Sequence, residues 1–278
     1  AIHAFESRKP ARLFYGIGEE AELHFNTFEK KIPDAPIDHT VTVLKAVDEK
    51  GGVIATITNW GCHPTTEDMP NRKISSDWIG VFRRDMTEKY GGVHMFSNGS
   101  IGAAIQPSVP WCKRNFGSEK NGQGFLWAEA MGKKFTRDVE EIVDKAKPLD
   151  VDRIEVVTVP VTIRMSNRTF ALAESLGIFK IELPPVGGKY TTYVTAVKMG
   201  DLRVGTMPGE MAAHLGNALR NELGGKAQIL VGLGQDWLGY IIDEKQYDDK
   251  IFAYEKLLCI SPHLGTEILK AYQSISFE

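Results

Sequence analysis

The sequence is short of cysteine: among 278 residues there are three, Cys62, Cys112 and Cys259. An odd count without close spacing excludes a disulfide framework and any Cys-x-x-Cys zinc or redox motif. Buried thiols packed as small hydrophobes are the reading that remains. No run of 18 apolar residues occurs, which excludes a membrane-crossing helix of that kind. An excess of one charge is missing too, since 33 Lys and Arg stand against 36 Asp and Glu, for a formal charge of −3. That balance speaks against nucleic acid as a partner, which calls for a basic stripe, and against a surface held to anionic lipid by charge. Neither a repeat nor a low-complexity tract appears, so solenoids and linkers are set aside. The chain also begins at Ala1 without an initiating Met.

What is present suits a globular core. Hydrophobic residues make up 42% and charged residues 25%, and a chain of this length buries roughly 70–75% of its unfolded surface. A short extended piece stands at Leu13-Phe14-Tyr15. Thr40 to Val47 and Val53 to Trp60 alternate apolar with polar or β-branched residues around Gly51-Gly52, which predicts a β-hairpin. Ser75-Ser76-Asp77 caps an amphipathic helix carrying Ile79, Phe82, Arg83 and Met86 through about Tyr90, where Gly91-Gly92 stops it. A strand from Val93 to Phe96 leads into a Gly/Ser/Pro-rich loop, and a long helix follows over about Gln123 to Lys147.

Ile154 to Ile163 is nearly all β-branched and reads as a buried or central strand. Tyr190 to Lys198 and Leu202 to Thr206 form a second hairpin about Gly200-Asp201. A helix then starts near Glu210, a strand spans Ile229 to Gly232, and two more helices fill the C-terminal part. Hairpins mixed with long helices predict an α/β fold, a mixed β-sheet sandwich with helices on its outer faces, in one domain. The order is not the regular alternation of a doubly wound fold.

Catalytic groups tend to lie where a rigid strand runs into a loop. His63 follows the strand ending at Trp60, with Pro64 stiffening the turn, and an imidazole there can bind a metal or move protons. Glu210 follows Pro208-Gly209 and falls in the first turn of a helix, where the macrodipole favours it without any function. Tyr240 follows the Gly-flexible stretch from Gly234 to Gly239. A His, a Glu and a Tyr at three strand ends can make an N/O zinc site if they converge, which spacing alone does not establish. The other candidates are weaker. His94 lies inside a strand, His263 follows a Pro at a helix start, and His214 reads as a surface pair with Glu210 at i,i+4. Ser100 sits in Asn98-Gly99-Ser100-Ile101-Gly102, where Asn98 breaks the Gly-x-Ser-x-Gly elbow.

At these same strand ends the sequence resembles the neutral, non-lysosomal ceramidases and their relatives, over about residues 10 to 274. Asn59-Trp60-Gly61-Cys62-His63-Pro64 is similar to the family's second zinc-histidine turn, and Ser76-Asp77-Trp78-Ile79-Gly80 to its Ser/Gly-Asp-Asn-x-Gly segment. Pro208-Gly209-Glu210 with Gly216-Asn217-Ala218-Leu219-Arg220 resembles the segment that supplies a zinc carboxylate. Gly232-Leu233, Trp237, Tyr240, Tyr247, Tyr254-Glu255 and Pro262-His263 resemble the tyrosine-rich run that follows. The resemblance implies zinc as cofactor, with His63, Glu210 and Tyr240 as ligands and Tyr254 as an active-site tyrosine. It implies a metal-activated water attacking an amide carbonyl, with Tyr254 hydrogen-bonding the developing oxyanion.

Two departures qualify what the resemblance implies. The family's other zinc histidine belongs to a His-Thr-His-Ser segment that the 62 residues before His63 do not contain, and His3 and His24 stand too close to take its place. The catalytic serine of a Gly-Asp-x-Ser-Pro segment is replaced as well: here Ile101-Gly102-Ala103-Ala104-Ile105-Gln106-Pro107 carries Gln106, an amide able to hydrogen-bond a substrate carbonyl. The expectation is therefore a zinc-dependent hydrolase of N-acyl amides, small-molecule or lipid, not necessarily ceramide. These residues would be the C-terminal portion of the catalytic domain, and an N-terminal partner chain would supply the missing histidine. The expectation extends to the family's C-terminal immunoglobulin-like domain being missing, since the sequence runs only a few residues past the helix at Leu264 to Ser274. The competing readings are a non-catalytic subunit that keeps the fold and has lost the metal site, and a serine hydrolase through Ser100.

Overall fold

A computed structural model of the chain describes residues 2–66, 71–102, 104–117, 123–178 and 182–277; Ala1 and Ala103 lie outside the described residues. The strands are β1 (Arg12–Glu19), β2 (His24–Asn26), β3 (Thr40–Val47), β4 (Val53–Trp60), β5 (Val93–Asn98), β6 (Ile105–Pro107) and β7 (Lys147–Leu149). They continue with β8 (Ile154–Arg164), β9 (Lys189–Met199), β10 (Leu202–Met207), β11 (Glu210–Met211), β12 (Ala227–Gly232) and β13 (Tyr240–Ile241). One sheet has the order β5-β4-β3-β1-β7 and a second β12-β10-β9-β8, while β11 with β13 and β2 with β6 form two-stranded ribbons.

The β3–β4 hairpin has the bounds its alternation predicts. Asp48 shapes its turn: Oδ1 accepts from the backbone N–H of Lys50 and Gly52, and Gly51 takes φ of 88°. Helices Asp77–Tyr90 and Gln123–Asp144 cover the outer face of the first sheet. There the Phe135 ring lies 4.8 Å from Trp60, 5.2 Å from Trp78 and 5.1 Å from Phe82. Helices Ala213–Leu223 and Leu264–Gln273 cover the second sheet through Leu215, Leu219, Ile268 and Tyr272. Between the sheets pack Tyr15, Leu149, Leu202, Ala227 and Ile229. The layering is helix, sheet, sheet, helix, the sandwich expected from the mixture of hairpins and long helices.

Asn59 joins the two sheets. Its buried amide donates to Ser97 O and Leu230 O, and its Oδ1 accepts from Leu230 N–H at 2.9 Å. None of the three cysteines is in a disulfide, and all three are buried. Burial pushes the Cys62 thiol well above its usual pKa and the Cys259 thiol up to about 11, which keeps both protonated and inert.

Three sequence expectations are corrected. β8 lies at the edge of its sheet, with Ile154 and Val156 exposed; β-branched residues favour extended backbone whether or not both faces are covered. The long helix ends at Asp144, and Lys147–Leu149 pairs with β1 instead of continuing it. The helix after β10 begins at Ala213, and Glu210 belongs to β11.

Candidate active site

Two parallel pairs, β4 with β5 and β10 with β12, run to one end of the sandwich. Their C-terminal ends meet there so closely that a Cβ on Gly232 would stand 2.6 Å from Gly99 O, and one on Gly61 2.8 Å from Ser100 O. Loops leaving the carboxyl ends of parallel strands are where α/β sheets build their sites.

His63 leaves β4 through Gly61 and Cys62. Its backbone N–H and its Nδ1–H both donate to Ile105 O, at 3.2 and 2.7 Å, while Trp78 Nε1 donates to His63 O at 3.1 Å. Fixing the proton on Nδ1 leaves the Nε2 lone pair free, the tautomer a metal-binding or proton-accepting imidazole needs. Nε2 points at Glu210, 3.3 Å from Oε2. Burial opposes charge on His63, but the Glu210 carboxylate beside Nε2 and the Ile105 carbonyl on Nδ1 together raise its pKa above the ordinary value.

Glu210 is held by backbone alone. Its N–H donates to Gly239 O at 2.9 Å and it stands directly beside Tyr240 in the β11–β13 ladder. Behind it Gly102 N–H donates to Met211 O, and a Cβ on Gly102 would sit 2.1 Å from Glu210 O. Glu210 Oε2 is buried and, among the described residues, makes no well-aligned hydrogen bond. A carboxylate oxygen in that condition is costly unless a cation meets it.

Tyr240 completes the group. Burial first, then the Glu210 charge and neighbouring Tyr254 and Glu255, hold its phenol well above the usual tyrosine range. Tyr254 is exposed and meets Tyr240 edge to face, with ring centroids 5.8 Å apart. Gln106 lies in β6 beside Ile105, and its Oε1 accepts a hydrogen bond from the Thr65 hydroxyl. The structure thus brings His63 to Glu210, Glu210 to Tyr240 and Tyr240 to Tyr254, and sets Gln106 next to the carbonyl that holds His63.

Elsewhere the candidates find other partners. The His214–Glu210 helix pair does not exist, because Glu210 is extended; His214 Nε2 meets Asp243 Oδ2 at 2.9 Å instead. His94 is buried between Thr56 and Gly91 O, and His263 pairs with Glu244. Ser100 Oγ is buried against Gly216, away from any imidazole contact. His24 is engaged at both ring nitrogens, with Gly61 O and His39 Nδ1 each at 2.8 Å. Its burial, helped by the His39 charge and opposed by Gly61 O and Asp38, lowers its pKa to about 4. Thr65, the Ile105 carbonyl and Gly102 escaped the sequence reading. Only Gly102 left a signal there, as a glycine in the loop where two backbones pass.

Among the described residues no group of three or more His, Cys, Asp and Glu stands together. The donors available here are one imidazole, one carboxylate and one phenol, an N/O set that suits zinc. The orphaned Glu210 oxygen and the Nδ1-anchored His63 fit a cation between them.

No family model matches the chain, and no curated protein does. Solved structures do. Neutral ceramidase from Pseudomonas aeruginosa superposes with a TM-score of 0.76 at 18% identity, covering 98% of this chain and 53% of that one. A ceramidase complexed with C2 superposes with a TM-score of 0.74 at 17% identity, covering 95% of this chain and 53% of that one. The chain therefore spans about half the length of the structures it matches, and over that span it has the fold of the neutral ceramidases.

Proposed function

We propose that the chain is the greater part of the active site of a zinc-dependent hydrolase that cleaves the C–N bond of N-acyl amides. The observation that carries this is the His63–Glu210 pair: an imidazole with its proton fixed on Nδ1, aimed at a buried carboxylate oxygen lacking another partner. His63, Glu210 and Tyr240 would hold the metal, with a remaining donor from a further polypeptide segment. Zinc, when bound, supplies polarisation of the scissile carbonyl and activation of the attacking water.

The chain's own residues have separate tasks in this reading. Ile105 O orients His63, and the β11–β13 ladder orients Glu210 and Tyr240 together. Tyr254 donates its hydroxyl proton in a hydrogen bond to the developing oxyanion, and the Gln106 amide steadies the substrate carbonyl. Gln106 is no nucleophile, so water forms the new C–O bond as the C–N bond breaks, and the amine leaves with a proton. His63 and Glu210 side chains are 18% and 23% exposed, so the pair lies near the surface.

The test is zinc-dependent hydrolysis of simple N-acyl amides followed by release of the free amine. Turnover that is lost on chelation, restored by zinc and absent in His63→Ala supports the reading; chelator-resistant turnover contradicts it.

A further inference from the structure

We propose that Thr65 is a positioning residue that sets the orientation of the Gln106 amide, turning its Nε2 outward as the donor to a substrate carbonyl. The inference rests on the hydrolase reading above. Two contacts zip the His-Pro turn to β6. His63 donates twice to Ile105 O, and two residues later the Thr65 hydroxyl donates to Gln106 Oε1. The first fixes the imidazole, and the second fixes the next side chain along.

A primary amide has an accepting end and a donating end, and flipping it exchanges them. With Oε1 occupied by Thr65, Nε2 is the end left over, and it makes no hydrogen bond among the described residues. A freely rotating glutamine would present either end and would lose its rotamer freedom on each encounter with substrate. The Thr65 hydroxyl removes both losses, and donation to Oε1 makes the Nε2 protons better donors. Thr65 and Pro64 are exposed, so nothing in the core depends on the threonine.

The experiment uses the zinc-loaded protein in its native assembly, an N-acyl anilide as substrate, and the ¹⁵N–¹H resonances of the Gln106 side-chain amide, identified by their loss in Gln106→Ala. Thr65→Val is expected to move those resonances and to lower kcat about 10-fold, with KM and zinc content unchanged. Thr65→Ser is expected to restore both, and Thr65→Val to have no further effect in the Gln106→Ala background. Amide resonances indifferent to Thr65→Val, or an equal rate loss with and without Gln106, would overturn the assignment. A zinc-loaded wild type that hydrolyses no N-acyl amide overturns the hydrolase reading itself; turnover indifferent to Thr65 overturns only this inference.

Discussion

His63 Nε2 and Glu210 Oε2 stand 3.3 Å apart at the meeting point of two sheets. Neither side chain is placed by its own neighbours in sequence. His63 is fixed by a carbonyl of β6, and Glu210 by the strand carrying Tyr240. Two groups held independently in this way are preorganised, so little reorganisation accompanies metal or substrate binding.

A close backbone approach behind the site lies between Gly102 and Glu210. Gly102→Ala would drive a Cβ to 2.1 Å from Glu210 O and push the Glu210–Ala212 segment away from its bridge to Gly102. We expect about 1–3 kcal/mol of destabilisation and a fall in zinc affinity larger than the fall in stability explains. Denaturant unfolding and competitive zinc titration of the variant check this.

Asn59→Ala strips the Leu230 N–H and C=O of their side-chain partners inside the sandwich. Orphaning two buried backbone groups costs about 3 kcal/mol. The midpoint of urea unfolding should fall accordingly with an unchanged slope, whereas a shift near zero would mean water replaces the amide.

A buried histidine and a half-buried aspartate give opposite pH dependences of stability. His24 has its pKa lowered to about 4, so the stability it contributes is present above its unfolded value near 6.5 and is lost as pH falls through about 4. Asp138 is raised to about 7, chiefly by burial and by a hydrogen bond to Glu20, with Lys134 at 2.7 Å opposing. Its contribution is present below the usual carboxylate range and is lost as pH rises through 7. The two slopes offset one another between pH 4 and 6.5. Asp138→Asn should therefore expose a stability that rises with pH over that window, by about 3 kcal/mol in all. Chemical unfolding at a series of pH values reads the slope, and a variant curve parallel to wild type would refute the assignment.

Tyr254 and Tyr240 should separate by readout. Tyr254→Phe removes an exposed hydroxyl beside the site, and a lost oxyanion donor lowers kcat roughly 100-fold with zinc retained. If Tyr240 is a zinc ligand as proposed, Tyr240→Phe weakens zinc itself. Single-turnover rates and metal content, measured on both variants, distinguish them.

Much of this was legible in the sequence because hairpins announce themselves. Thr40–Val47 and Val53–Trp60 carry their alternation and their turn on the surface of the sequence. The position of His63 just past the end of a strand followed from that, whereas Tyr240, expected after a loop, lies in the short strand β13. Glu210 was misread because a Pro-Gly-Glu ahead of a helical pattern resembles a first turn. Its extended conformation comes from Gly239 O and Tyr240, partners distant in sequence. The edge position of β8 was hidden for a related reason: β-branched residues report extended backbone and not what covers it. Ile105 O could not be foreseen at all, since a backbone acceptor has no residue type.

Zinc content of the protein in its native assembly tests the central claim most directly. The account predicts stoichiometric zinc that is lost in both His63→Ala and Glu210→Ala while the circular dichroism spectrum and unfolding midpoint stay close to wild type. Zinc retained undiminished by both variants, or a wild type that takes up none from zinc-containing buffer, would contradict it.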